Sequence, residues 1–319
     1  LSSKTLKNNP MNFRLTILGS ASALPVVGKY PTACVLNVHE QFFLIDAGEG
    51  VQKQLIRYGI PLHKLNNIFI THLHGDHLFG LFGLVSTLGL TGREHPLHIY
   101  APAPLERIMD SMDPLFSDMP YPIEYHTVDT ERCEPIFENK AMTVTAIPLS
   151  HRVPACGYLF REKTPPLNVS KDAITELSLT LEEICAAKNG LDIIRDGKTI
   201  PNERIAYRPY EPRSFAFCSD TAYSETVVDA VHGVDLLYHE ATFASTEAER
   251  AERTGHSTAR QAATVASRAG AERLVIGHFS SRYKDNHEML VQEAREVFPE
   301  TYPGEQGCVF EIKAKCVRH

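Results

Sequence analysis

The stretch Phe69-Ile70-Thr71-His72-Leu73-His74-Gly75-Asp76-His77 constrains this 319-residue chain more than any other. The apolar run over residues 65–70 reads as a buried strand. It stops at a polar, Gly-containing turn that carries three imidazoles and a carboxylate within six positions. A turn at a strand end can aim His72 and His74 at one point while Asp76 and His77 curl back toward a second, about a metal diameter away. Imidazole suits zinc, and tetrahedral zinc sites need several nitrogen or oxygen ligands held close together. The remaining ligands must therefore come from other parts of the chain.

Along the chain, strands are expected over 13–18, 34–38, 41–45, 65–70, 98–100 and 142–147, the second and third joined as a hairpin around His39-Glu40. Asp46-Ala47-Gly48-Glu49-Gly50 gives a tight strand-to-helix turn before a helix over 51–58, which Gly59 and Pro61 end. A helix over 78–90 is apolar nearly all round and should lie buried beneath the histidines. A further helix is expected over 104–112. Later strands over 214–218, 234–238 and 273–276 end at Asp220, at His239-Glu240 and at His278, and the strand over 142–147 ends at His151. Helices are expected over 258–269 and 286–298, with a closing strand over 308–312. Each suspected ligand thus follows a strand, as a rigid scaffold would present a site.

Residues 160–213 change character. Pro165-Pro166, Gly190, Gly197, Pro201, Pro209 and Pro212 punctuate them, charges of both signs alternate, and a small helix is expected over 181–188. This reads as an inserted arm rather than as core. Residues 1–10 read as an extension, disordered or a remnant of expression, ahead of a single domain over 11–319.

With 43% hydrophobic residues the chain can bury a large core. Its seven cysteines are odd in number and form no CxxC pair, as in reduced cytosolic proteins. No apolar run approaches a membrane span and no secretion signal is visible, so a soluble cytoplasmic protein is expected. A net charge of −7 and a pI near 6.1 argue against a generally basic, nucleic-acid-coated surface. A metal pair would still supply strong local positive charge to meet a phosphate.

The turn His72-Leu73-His74-Gly75-Asp76-His77 resembles the metallo-β-lactamase superfamily. That resemblance implies an αββα sandwich, two mixed sheets face to face with helices outside and metals at one edge. It implies one ion on His72, His74 and His151, another on Asp76, His77 and His278, and Asp220 bridging them at a separation of about 3.5–4 Å. The expected cofactor is two Zn2+ per subunit, with Mn2+ or another divalent ion as substitute. The resemblance makes Asp46 an orienting partner of the metal ligands; read on its own, Asp46 is equally a cap for the helix near Val51. His39, His63, His95, His98, His126, His232, His287 and His319 lack this context and read as ordinary hydrogen-bonded residues.

Within the superfamily, Phe217-Cys218-Ser219-Asp220-Thr221, His239-Glu240-Ala241-Thr242-Phe243, Gly255-His256-Ser257-Thr258-Ala259 and Gly277-His278-Phe279-Ser280-Ser281-Arg282-Tyr283 resemble the ribonuclease Z family. The resemblance implies a homodimeric phosphodiester hydrolase that removes 3′ trailers from tRNA precursors, with Asp76 as general base. It implies a relay in which Glu240 backs His256, which protonates the leaving ribose oxygen; an alkoxide needs such a proton. Arg282 reads either as a bidentate phosphate clamp or as the partner of a core carboxylate. The arm corresponds to one that grips the tRNA elbow, although Leu179-Thr180-Leu181-Glu182-Glu183-Ile184 replaces the family's Gly-Pro-rich motif and the loop Pro25-Val26-Val27-Gly28-Lys29-Tyr30-Pro31 is less basic. Two other readings stand beside this one. A small-molecule phosphodiesterase or arylsulfatase on the same fold suits the acidic balance, and a non-catalytic RNA-binding scaffold is opposed by the full ligand set.

Overall fold

The computed structural model describes residues 12–112, 116, 119–284 and 286–315, so the expected extension over residues 1–10 lies outside the described residues. Its strands are β1 (Phe13–Gly19), β2 (Ala33–Val38), β3 (Gln41–Ile45), β4 (Leu65–Phe69), β5 (Leu97–Ala101), β6 (Ile123–Thr127), β7 (Pro135–Glu138), β8 (Met142–Pro148) and β9 (Cys156–Glu162). There follow β10 (Asn168–Val169), β11 (Ile193–Arg195), β12 (Lys198–Ile200), β13 (Ala206–Tyr207), β14 (Ser214–Cys218), β15 (Leu236–Glu240), β16 (Leu274–Gly277), β17 (Thr301–Pro303) and β18 (Val309–Glu311).

Two seven-stranded sheets run β18-β1-β2-β3-β4-β5-β6 and β17-β16-β15-β14-β9-β8-β7. The first is antiparallel from β18 to β3 and parallel from β3 to β6. The second is parallel from β17 to β14 and antiparallel from β14 to β7. The two halves of the chain share one plan that no sequence repeat announces.

Each sheet is covered twice, which is why β2 reads Ala-Cys-Val-Leu-Asn-Val with every residue buried. Between the sheets lie Phe13, Phe43, Phe69, Tyr158, Phe160, Phe215, Phe217 and Tyr238. Phe69 on β4 meets Tyr158 and Phe160 on β9 with ring centroids 5.2 and 5.4 Å away, so aromatic edges knit one layer to the other. Truncating such a side chain to Ala costs roughly 3–5 kcal/mol.

The outer faces are closed by helices. Ala259–Ala269 begins at a capping box, Thr258 accepting from the Gln261 amide and Gln261 reaching back, and ends at Gly270 with φ 63°. Its buried side is Ala259, Ala262, Ala263, Val265, Ala266 and Ala269, small enough to let the helix lie close on the second sheet. On the first sheet, Val51–Arg57 and Gly80–Leu90 do the same work.

Several elements differ from expectation for local reasons. The helix expected over 78–90 runs Gly80–Leu90, and a separate short helix, Gly75–Leu78, precedes it. At the join, the Gly80 amide donates to the Ala47 carbonyl at 2.8 Å, and any Cβ there would collide with the Gly48 carbonyl. The strand expected over 234–238 lies at Leu236–Glu240, so Glu240 is its last residue rather than part of a following tip.

The inserted segment is shorter and better packed than its composition suggests. Phe160 belongs to the inter-sheet core, and Arg213 is buried against Glu162 and hydrogen bonds its carboxylate through Nε at 2.9 Å and Nη2 at 2.6 Å. Residues 163–212 between them hold a small apolar cluster of Leu179, Ala187, Ile193 and Ile205, among others. Two short ladders, β10–β13 and β11–β12, and the capped helices Lys171–Glu176 and Leu181–Lys188 frame it.

Candidate metal centre

β3 and β4 are parallel neighbours with Ile45 beside Phe69, so Asp46 and the histidine turn leave the sheet side by side. Asp46 is fully buried at φ 58°, in the left-handed region that a non-glycine residue occupies only under constraint. Its Oδ1 accepts the Thr71 amide at 2.8 Å, and its Oδ2 lies 2.8 Å from Nδ1 of His77. The helix Val51–Arg57 instead starts from Gly50 with no side-chain cap. From the other sheet, β9 grips the same turn: the Cys156 amide donates to the Thr71 carbonyl at 2.9 Å and the Tyr158 hydroxyl to the Ile70 carbonyl at 2.6 Å.

Two sets of donor atoms converge at the strand ends. In the first, Nδ1 of His74 lies 3.0 Å from Nε2 of His72 and 3.3 Å from Nε2 of His151. Asp220 Oδ2 stands 3.5 Å from the His72 nitrogen and 3.8 Å from that of His151. In the second, Nε2 of His77, Nε2 of His278 and Oδ2 of Asp76 are 3.3–3.4 Å apart, and Asp220 Oδ1 lies 3.3 and 3.4 Å from the two nitrogens. A tetrahedron with metal–ligand arms of about 2.0–2.1 Å has edges of about 3.3–3.4 Å, so the second set fits a zinc-sized ion and the first fits it more loosely. One carboxylate faces both sets.

The ring nitrogens pointing away from the centre are held as well. His72 Nδ1 meets the Thr71 hydroxyl at 3.0 Å, His151 Nδ1 the Gly255 carbonyl at 2.7 Å and His278 Nδ1 the Thr242 hydroxyl at 2.9 Å. Such contacts fix tautomer and orientation before an ion arrives. Burial alone would raise the Asp76 carboxyl, but His77 and His278 outweigh it and hold it below the ordinary range. Burial likewise opposes ionisation of Asp220, and His278, His77 and His72 overcome it. Burial pushes His151 down to about 4, leaving a neutral imidazole with a lone pair to give.

Beside these sets, His256 Nδ1 meets Glu240 Oε1 at 2.8 Å while its Nε2 faces the centre, 3.9 Å from Asp220 Oδ2. Glu240 is buried, and its oxygens also accept the amides of Thr221, Thr242 and Ser257. Burial opposes charge on His256, but Glu240 and then Asp220 raise it to about 9. The ring is therefore an imidazolium near neutral pH, aimed into a cleft of ≈ 380 Å³ lined by Leu24, His74, Asp76, Arg152, Phe243 and His278.

Arg282 is paired with a carboxylate, though a partly exposed one rather than one in the core. Its Nη1 lies 2.5 Å from Glu247 Oε2 and its guanidinium sits 5.6 Å from the centre of the Phe243 ring. Two residues escaped the sequence reading. Thr242 touches Glu240, His256 and His278 through one hydroxyl, and its position between Glu240 and Phe243 was the available signal. Arg152 lines the cleft next to His151 and carried no signal beyond that adjacency.

Known proteins share this architecture. The family model described as "Beta-lactamase superfamily domain" matches residues 193–279, and that described as "Anti-Pycsar protein Apyc1" matches residues 13–116. Ribonuclease Z of Bacteroides fragilis (strain YCH46) is 45% identical over 291 residues, covering 91% of this chain and 95% of the relative. Ribonuclease Z of Cytophaga hutchinsonii is 42% identical over 306 residues, covering 95% and 97%. Among solved structures, human tRNase Z, short form, superposes with a TM-score of 0.68 at 25% identity, covering 94% of this chain and 99% of that one. YhfI of Bacillus subtilis, described as a metallo-β-lactamase fold protein, gives 0.66 at 20% identity, covering 94% and 99%, a likeness of fold alone. On identity of this extent and coverage, the chain belongs to the ribonuclease Z family, built on the metallo-β-lactamase fold.

Proposed function

We propose that this protein is a metal-dependent endoribonuclease that hydrolyses the phosphodiester at the 3′ end of tRNA precursors and so releases the 3′ trailer. The observation that carries the reading is the pairing of His256 with Glu240 in a cleft that Asp76 also lines. Such a cleft would hold a proton acceptor and a proton donor around one phosphate.

His72, His74 and His151 would hold one divalent ion, Asp76, His77 and His278 a second, and Asp220 both; zinc suits these nitrogen and oxygen donors, with Mn2+ able to replace it. Divalent ions held there would supply Lewis-acid polarisation of water and of the phosphate. Asp76 takes the proton of the attacking water as its oxygen bonds to phosphorus. His256 delivers its Nε2 proton to the ribose oxygen as the P–O bond breaks. Glu240 keeps the imidazole in register and holds its charge until that transfer. Arg152, at the rim, is a cation for a flanking phosphate.

The unit over residues 163–212 would contact the body of the tRNA, and the active form would be a cytoplasmic homodimer. Among the described residues, no helix is long and apolar enough to cross a membrane. The test is cleavage of a tRNA precursor with a 3′ trailer beside an activated aryl phosphodiester, with and without chelator. Cutting at the base of the acceptor stem, lost on chelation, supports the proposal. Turnover of the aryl ester alone moves the substrate to a small phosphodiester, and no turnover of either leaves a binding scaffold.

A further inference from the structure

A second group of metal-ligand residues lies outside the cleft, on the inner face of the first sheet at its β6 edge. β5 and β6 run parallel with His98 beside Glu124 and Tyr100 beside His126, which puts His98, Glu124 and His126 on one face. Nδ1 of His98 lies 3.2 Å from Nε2 of His126 and 3.2 Å from Oε2 of Glu124. These edges are close to the 3.3–3.4 Å edges of the His77–Asp76–His278 set. Taken one at a time, both histidines read as ordinary; the strand register is what unites them.

A cation would serve both contacts of His98 Nδ1 at once, whereas a single proton has to be shared between them. If that nitrogen carries a proton, one hydrogen must serve both a carboxylate and an imidazole. If it carries none, its lone pair faces a carboxylate oxygen that can only accept. Burial and the neighbouring His98 lower the affinity of His126 for a proton, so its ring keeps a free lone pair near neutral pH. The ring itself is fixed by stacking on Tyr100 at 4.4 Å, and Tyr100 in turn stacks on Phe69 at 4.6 Å. On the adjoining strand, Asn67 pairs in register with His98, and its buried Oδ1 has no hydrogen-bond partner. The side chain of His98 is 33% exposed and that of Glu124 49%, so the group is open to ions from solution.

We propose that His98, Glu124 and His126 form a zinc site separate from the catalytic cleft. Asn67 lies on β4, five positions before His72 in the turn that follows the strand, so the chain between them spans at most roughly 16 Å at the rise of a strand. Two imidazoles and a carboxylate suit zinc, and a fourth position is left for water or the Asn67 oxygen. Because β6, among the described residues, is an edge strand paired only with β5, the ion would act as a clamp on that edge.

The test is a chelator-competition titration of metal-free protein with Zn2+. Wild type takes up one equivalent more than His98→Gln/His126→Gln, and Glu124→Gln weakens that equivalent by at least about tenfold. The readout is a difference between proteins, so it does not depend on how many ions the cleft holds. Equal equivalents in wild type and a folded double variant overturn the proposal. Should the double variant misfold, carbethoxylation of wild type decides: zinc must protect His98 and His126 from modification, and unchanged modification of both overturns the site.

Discussion

His256 Nδ1 stands 2.8 Å from an oxygen of Glu240, a carboxylate wholly buried and also hydrogen bonded by three backbone amides. The amides fix the carboxylate, the carboxylate fixes the ring, and the ring presents Nε2 to the cleft. His256→Ala should therefore slow cleavage of a tRNA precursor by about 10²–10⁴-fold, the range for a lost general acid. An activated aryl phosphodiester, whose leaving group needs no proton, should lose far less. Steady-state kcat on both substrates checks this, and equal losses would deny the donor role.

The same pair makes a pH prediction for the metal-free protein. Glu240 and Asp220 raise His256 from its ordinary 6.5 to about 9, so its ring should stay protonated through neutral pH and titrate on the alkaline side. Glu240→Gln should move that titration back toward the ordinary value. Imidazole proton resonances followed against pH would show it, and an unmoved midpoint would sever the coupling.

Asp76 and Asp46 should separate by phenotype. Asp76→Ala removes a donor and the proposed base, so turnover should vanish while circular dichroism stays that of the folded protein. Asp46→Asn leaves every donor in place but weakens the hold on His77 Nδ1. It should lower metal affinity about 10–100-fold and recover much of its activity at saturating metal. Activity measured against free Zn2+ distinguishes the two.

Much of the strand framework and the donor set were readable from sequence because both rest on strong local signals, but central β9 (Cys156–Glu162) was missed, its apolar residues running into the stretch read as the arm. Continuous apolar runs such as Phe42-Phe43-Leu44-Ile45 announce doubly covered strands, Asp220 and His278 follow largely apolar runs, and His151 follows the alternating strand Met142-Thr143-Val144-Thr145-Ala146-Ile147. β6 and β7 gave no such signal, because edge strands half open to solvent carry residues like Glu124, His126 and Glu138. The arm's core escaped because Leu179, Ala187, Ile193 and Ile205 are scattered singly among polar residues. Arg282 stayed open because its partner Glu247 is on a different turn, and nothing in either stretch names the other.

Glu162 and Arg213 pin the two ends of the arm together, and His39 from the opposite sheet joins them, its Nε2 2.6 Å from Glu162. Burial would raise the Glu162 carboxyl, but His39 and Arg213 bring it from 4.5 to about 2. A carboxyl depressed on folding stabilises fully above its unfolded value. Stability from this cluster should therefore be complete above pH 4.5 and fall away as pH drops toward about 2. Glu162→Ala, which strands a buried guanidinium, should cost about 3–5 kcal/mol. Urea unfolding at pH 7 and pH 3 measures both, the variant showing the smaller change between them.

Metal removal should abolish turnover reversibly. Dialysis against chelator and then restoration with Zn2+ or Mn2+ should return the rate, and activity that survives exhaustive chelation would dismiss the metal role.

His72, His74, Asp76 and His77 leave the first sheet, whereas His151, Asp220 and His278 leave the second. Neither layer owns a complete set, so a nascent chain with one sheet assembled has no strong binding site. If these residues hold the metal as proposed, its capture would be a checkpoint on docking: an ion that recognises only the closed sandwich would add about 4 kcal/mol when present at a thousand times its Kd. Scarcity of that ion would shorten the lifetime of the protein in the cell as well as silence it, since the unliganded sandwich opens to proteases more often.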